Sequence, residues 1–204
     1  TGREPVAVAL TPDERWLVVA HHLPEGPANR RIVTASVTVV DTTSFTVRTN
    51  LALPNGSVAL RGVAISPSGK WAAVTHNVAR FQVPTTQVEH GWMNDSAVSL
   101  VDLETLSLRN TLLLDEPSRG AANPWALAWT PEERWLCVTH SGTHEMSVID
   151  APVLLRKIAR YPEGHLINDL DLLNGIRRRI PLKGNGPRAL SIAGGKAYVT
   201  EFFS

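Results

Sequence analysis

A short alternation of apolar and small residues recurs along the chain, and each copy leads through a polar turn into a continuous apolar run. In the first copy, Val6, Val8 and Leu10 alternate with alanines before a Thr-Pro-Asp-Glu turn. The apolar run that follows begins at Trp16 and ends at His21. Alternation, a turn that contains proline and a second run are typical of a β-hairpin.

The hairpin pattern is repeated. The segment 5–21 recurs at 60–76 and 124–140, and a shorter copy lies at 187–201. A second pair of predicted strands follows each complete copy, so each unit has four antiparallel strands, which is the blade of a β-propeller. The sequence therefore predicts an all-β fold, a partial β-propeller with a short helical insertion in its third blade. The predicted blades are 5–53, 60–114 and 124–182, with the first hairpin of a fourth at 187–204.

Two residue types recur at fixed places in the units. We expect the repeated tryptophans to pack as wedges between blades, and the repeated aspartates to accept hydrogen bonds from turn amides. The tryptophans are Trp16, Trp71 and Trp135, and the aspartates are Asp41, Asp102 and Asp150.

The third unit carries the helical insertion, at 151–174. Asp150 is suited to cap a helix whose first turn holds Pro152, and apolar residues then recur on one side. The apolar spacing over 166–173 predicts a second short helix. Two readings remain open: a flap on the edge of the blade, or a docking site for another domain. We expect Arg177, Arg178 and Arg179 to form a solvated strand start.

Composition excludes several classes of protein. The chain has 204 residues and a net charge of +1, which favours neither nucleic acid nor an anionic membrane as a partner. Its single cysteine, Cys137, lies in an apolar run, and the sequence contains no C-x-x-C pair and no C-x-x-C-H haem attachment motif. No apolar run has the length of a membrane span.

Glycine-containing segments precede the first strand of the units. The segment 2–5 resembles 184–187, so the chain opens on a connection between blades and ends within a blade. Propellers close with four to eight blades, and an open propeller exposes strand edges. We therefore expect the remainder of the same protein, or another chain, to complete the propeller.

Loop length indicates where binding occurs. The second strand of each unit ends on the face that carries the connections between blades. The separation between the strand-end histidine and the aspartate of the next strand is 10 residues after His140, 20 after His21 and 26 after His76. Long loops on a rigid scaffold usually carry binding, so we predict that 22–35 and 77–95 form the recognition surface.

Aromatic, basic and polar side chains are concentrated in these two loops. Trp92 has no counterpart in the other repeats, so blade packing does not require it and it is the strongest predicted contact. The predicted ligand or partner contacts are His22, Arg30, Arg31, Phe81, His90, Trp92, Asn94 and Asp95.

Six of the seven histidines fall on the same predicted face, and histidine clusters suit metal ligation. The competing interpretation is that each strand-end histidine bonds a nearby loop, since a repeat copies its residues whether or not they share a ligand. We favour this second interpretation. The candidate metal ligands are His21, His76, His140 and His144.

The repeat resembles the YVTN-type β-propeller family. The family motif reads VVAH at 18–21, AVTH at 73–76, CVTH at 137–140 and YVTE at 198–201. The segment 83–95 is also similar to a loop in large exported bacterial proteins that join such a propeller to a cytochrome c domain of the di-haem peroxidase type. The resemblance implies a periplasmic or extracellular protein linked to electron transfer, with no cofactor in this chain and haem c confined to a further domain or a partner.

Three functions are compatible with these observations. The chain is predicted to be the propeller scaffold of an exported, cytochrome c-linked protein that binds a partner or ligand through its long loops. The alternatives are a surface interaction protein without chemistry and a lactonase-like propeller enzyme. No acid–base pair or nucleophile at a diagnostic spacing supports the enzyme.

Overall fold

The computed structural model describes residues 2–80 and 93–203, and these form a partial β-propeller of antiparallel sheets. The first blade has the strand order β1-β2-β3-β4, so each strand pairs with its neighbour in sequence. Its strands are β1 (Pro5–Leu10), β2 (Trp16–His21), β3 (Ser36–Asp41) and β4 (Thr46–Ala52).

The second blade repeats this order and gains a fifth strand. The additional strand, β12 (His165–Ile167), comes from the third repeat and pairs in parallel with the outer strand. The four strands of the blade itself are β5 (Ser57–Ile65), β6 (Trp71–Ala79), β7 (Asn94–Asp102) and β8 (Ser107–Leu113).

The third blade contains the helix, and the fourth sheet is a hairpin. The third blade consists of β9 (Pro124–Trp129), β10 (Trp135–His140), β11 (Glu145–Asp150) and β13 (Arg177–Pro181), with α1 (Ala151–Ile158) between the last two. The hairpin pairs β14 (Pro187–Ala193) with β15 (Lys196–Glu201). In the described part of the chain, no helix is long and apolar enough to cross a membrane.

Repeated turn residues explain why the sequence forms these hairpins. The hydroxyl of Thr11 accepts from the amide of Trp16 at 2.9 Å, and Ser66 and Thr130 do the same for Trp71 and Trp135. The predicted role of the aspartates is also confirmed. Carboxylates accept from turn amides at Asp41 and Asp102, and from the first turn of α1 at Asp150.

The apolar core lies between the blades. One cluster joins the facing sides of the first and second blades, and a larger one joins the second and third blades with the insertion. Trp71 packs against the larger cluster, between the second and third blades, as a wedge between blades would. The outward side of β1 differs, because its apolar residues Val6, Val8 and Leu10 are exposed.

The insertion packs against the outer strand and core of the second blade. The prediction of a helix capped by Asp150 is confirmed, and Leu154 and Ile158 are buried in the core. The prediction of a second helix over 166–173 is wrong. Residues 165–167 form β12 instead, because the edge of β8 offers backbone partners that an isolated helical turn lacks.

The predicted solvated start of β13 is wrong for two of its three arginines. The side chains of Arg177 and Arg179 are buried, and each forms an ion pair with Glu116. Arg179 also forms an ion pair with the buried Glu145. These arginines bind the connection between the second and third blades, and Arg178, on the other side of the strand, is exposed.

Candidate functional site

The loops between second and third strands share a face with the connections between blades, as predicted. The amide of His22, directly after β2, donates to the carbonyl of Glu4 at 2.8 Å. The amide of Ser141, directly after β10, donates to Asn123 at 2.9 Å in the same way. We call this side of the molecule the loop face.

The bases of the two long loops meet at Gly56, in the connection between the first and second blades. Its amide donates to the carbonyl of Val33 at 2.9 Å, and its carbonyl accepts from the amide of Ala79 at 2.7 Å. Gly56 has a φ of 88°, and any Cβ there would collide with the carbonyl oxygen of Ala79. The two predicted recognition loops are therefore joined by one residue that must be glycine.

The first loop, 22–35, presents basic and apolar side chains. Arg30 and Arg31 are exposed, and the neighbouring Ile32 is 62% exposed. His22 has a structural contact, because its Nδ1 lies 2.8 Å from the carbonyl oxygen of Leu60 on β5. It therefore fixes this loop to the second blade.

The second loop lies largely outside the described residues. The predicted contacts Phe81, His90 and Trp92 fall within the part that the structure does not describe, so they remain predictions. Asn94, at the start of β7, is exposed, and the preceding Met93 is 58% exposed.

Asp95 is buried and bonded within the protein. It is 2% exposed and forms an ion pair with Arg80. Burial raises the pKa of Asp95, and the charge of Arg80 offsets part of that effect. Arg80 also donates to Asn168 of the insertion at 2.7 Å, so this pair connects the base of the second loop to the third repeat.

The strand-end histidines each bond a hydroxyl on the adjacent third strand. The Nε2 atom of His140 lies 2.7 Å from Ser147 Oγ, and His140 Nδ1 lies 3.0 Å from the carbonyl oxygen of Ala121. The same Nε2 contact joins the other two pairs at 2.8 Å. These pairs are His21 with Thr38 and His76 with Ser99.

Burial determines the protonation of these rings. It lowers the pKa of His140 to about 3 and that of His76 to about 4, and it also lowers the pKa of His21. All three side chains are buried. They are therefore neutral hydrogen-bonding groups near neutral pH, in keeping with the loop-anchoring interpretation.

Among the residues that the structure describes, the candidate metal ligands do not come together around one site. Within those ranges, no three His, Cys, Asp or Glu side chains lie close enough to hold an ion. His144, the fourth candidate, accepts a hydrogen bond at Nδ1 from the amide of Gly186 at 3.1 Å. It fixes the connection to the fourth sheet.

The loop face is thus a rigid base that carries two long loops. Loop length predicted where the two loops lie, but Ile32, an exposed apolar residue beside the predicted polar contacts, was not identified from the sequence. A lone aliphatic residue in a polar loop could have indicated it. On the described part of the loops, the side chains of Arg30, Arg31, Ile32 and Met93 are exposed. Those of His22 and Asp95 are instead bonded within the protein.

Comparison with known proteins finds a relative that matches nearly all of this chain over about half of its own length. No family model matches the chain. The chain is 27% identical over 206 residues to the beta subunit of hydrazine synthase from Kuenenia stuttgartiensis, with 98% of the chain and 51% of that protein covered. Its fold is similar to a solved structure of hydrazine synthase from the same organism, with a TM-score of 0.80 at 22% identity over 97% of the chain and 58% of that protein.

The solved structure supports the propeller fold found here. The chain spans about half the length of the curated relative that it matches.

Proposed function

We propose that the chain is the propeller scaffold and binding module of a larger exported, redox-associated protein complex, and that its loop face holds a partner chain or a cytochrome c domain. The observation that carries the proposal is the similarity of nearly the whole chain to a subunit of hydrazine synthase. A subunit acts beside other chains, and a rigid propeller with long loops is suited to hold one.

Two features of the structure support a binding role. Exposed apolar side chains lie on the loops themselves, and apolar anchors with basic neighbours are common at interfaces. The outward side of β1 is a second apolar surface, which further blades of the same protein or another chain would cover. Because the sequence contains no C-x-x-C-H motif, any haem c of the complex would be held by a further domain or a partner.

The test is isolation of the full-length protein from its native source. We expect it to elute in an assembly heavier than its own chain, and the haem Soret band to elute with it. Native mass spectrometry then identifies whether the haem lies on the same chain or on a partner.

Elution as a lone, haem-free chain would contradict the proposal. A lactone-hydrolysis assay on that material would then separate the lactonase alternative from an interaction protein without chemistry. No described contact favours the lactonase over the scaffold.

A further inference from the structure

Three side chains from consecutive blades converge at the inner strands. Arg61 of β5, Trp125 of β9 and Arg188 of β14 occupy equivalent places in the repeat. The guanidinium carbons of Arg61 and Arg188 lie 4.0 Å and 4.4 Å from the centroid of the Trp125 ring. The third blade lies between the second blade and the fourth sheet. Arg61 and Arg188 can therefore both reach the Trp125 ring only close to the propeller axis, where the inner strands of neighbouring blades approach each other.

The position of Trp125 is fixed by its backbone. The hydroxyl of Thr75 donates to the carbonyl of Trp125 at 2.6 Å and accepts from the amide of Gly62 at 3.0 Å. A Cβ at residue 62 would collide with the same Trp125 carbonyl, so the inner strands of the second and third blades lie in close contact. On the far side, the guanidinium carbon of Arg188 lies 3.8 Å from the centroid of the Phe202 ring.

The charges of the two arginines are not balanced. Among the described residues, neither forms an ion pair, and the Nε atom of each is buried without a hydrogen-bond partner. Burial lowers the pKa of Arg61, and the nearby charge of Arg188 lowers it further. An aromatic ring attracts a guanidinium but does not neutralise it.

Two other contacts between a cation and a tryptophan ring differ in this respect, because the cation also has a carboxylate partner. Arg134 lies over Trp135 but also pairs with Asp150 at 2.6 Å. Lys70 lies over Trp71 and pairs with Glu104 at 2.7 Å. The inner-strand contact is therefore unusual in placing two cations together without a carboxylate.

We propose that Arg61, Trp125 and Arg188 form a binding site for a small oxyanion of the phosphate or carboxylate class. The planar guanidinium presents several donors in a fork that matches two oxygens of such an anion. The ring of Trp125 holds both guanidinium groups in place, so little side-chain freedom is lost on binding. A bound anion would relieve the repulsion between the two arginines. This inference does not depend on the proposed role in a complex.

The first test needs no substitution. The melting temperature of the full-length protein is measured in phosphate, acetate and chloride at constant ionic strength. An anion that binds the folded protein raises the melting temperature with concentration. We expect a rise in phosphate or acetate over chloride, and the comparison of these two identifies the preferred oxyanion. Equal melting temperatures in all three salts would overturn the proposal.

Substitution then locates the site. Arg61→Gln and Arg188→Gln each remove one charge, and Arg15→Gln is the matched control, since Arg15 lies 4.6 Å from the ring centroid of Trp16, away from the inner strands. By calorimetric titration with the preferred anion, we expect each of the first two to weaken binding at least tenfold and the control to leave it within twofold. Retained affinity in either inner-strand variant would overturn the two-arginine site.

Discussion

The amide of Ala79 donates to the carbonyl of Gly56 at 2.7 Å, and this bond joins the base of the second long loop to the connection that holds the first. Gly56 also donates to Val33, so a single residue sets the spacing of the two loops. The spacing of the two loop bases is therefore set by backbone contacts, to which the side chains of His22 and Asp95 add anchors at the loop ends.

Gly56→Ala tests this relationship. The new Cβ would collide with the Ala79 carbonyl, and the positive φ adds backbone strain, so we expect the free energy of unfolding to fall by about 3 kcal/mol or more. Gly175→Ala is the control, because Gly175 has a similar positive φ but open space around it. It should lose about 1 kcal/mol. Equal losses in urea unfolding would show that the contact with Ala79 is unimportant.

The His140 side chain is predicted to stabilise the third blade. His140→Ala removes a ring bonded to Ser147 and to the Ala121 carbonyl, and leaves both groups buried without a partner. We expect the free energy of unfolding to fall by about 2–4 kcal/mol. His165→Ala serves as the comparison, since that ring is exposed and bonds only a nearby loop carbonyl. A His140 variant as stable as the His165 variant would refute the anchoring role.

Stability is expected to depend on pH through the buried histidines. Burial lowers the folded-state pKa of His76 to about 4, whereas an unfolded histidine titrates near 6.5. The unfolded chain therefore binds more protons, and the stabilisation present above pH 6.5 is lost as pH falls toward 4. Each such histidine contributes a slope of up to about 1.4 kcal/mol per pH unit.

The slope of stability against pH is compared between the wild type and a variant. This is needed because burial raises the pKa values of Asp95 and Asp115, which makes their contribution to stability rise as pH falls. His76→Gln should show a shallower loss of stability between pH 6.5 and 4.5 than the wild type. Identical slopes in the two proteins would contradict the assignment of His76 as a neutral buried group.

The buried pair of Arg179 and Glu145 is predicted to hold the connection between the second and third blades. Arg179→Ala leaves the carboxylate of Glu145 in the protein interior with only the half-exposed Arg119 as an ion-pair partner. We expect a loss of about 3 kcal/mol or more in the free energy of unfolding. The adjacent Arg178 points outward, so Arg178→Ala should change stability by less than about 0.5 kcal/mol. Similar effects of the two substitutions would mean that the pair is not required.

The repeated hairpins made the fold predictable, because alternation and turn residues act locally and recur in each unit. The second predicted helix was wrong because short apolar runs such as 166–173 suit helix and strand alike, and the open edge of β8 decided between them. Burial of Arg177 and Arg179 depends on Glu116 and Glu145, whose proximity only the fold creates.

The candidate site was predictable in outline. Loop lengths and strand direction located the loop face, since both follow from the repeat. The meeting of the two loops at Gly56 was not predictable, because it depends on hydrogen bonds between segments of three different connections. The convergence of Arg61 and Arg188 on Trp125 was missed for a similar reason: it requires three blades to be in place.

The most direct test of recognition through the loop face is hydrogen–deuterium exchange on the native complex and on the separated chain. We predict that 22–35 and 77–95, including the segment with Trp92, gain protection in the complex. Turns on the opposite face, such as that of the exposed Phe45, should exchange equally in both samples. Protection confined to the opposite face, with the two loops unchanged, would contradict recognition through the loop face.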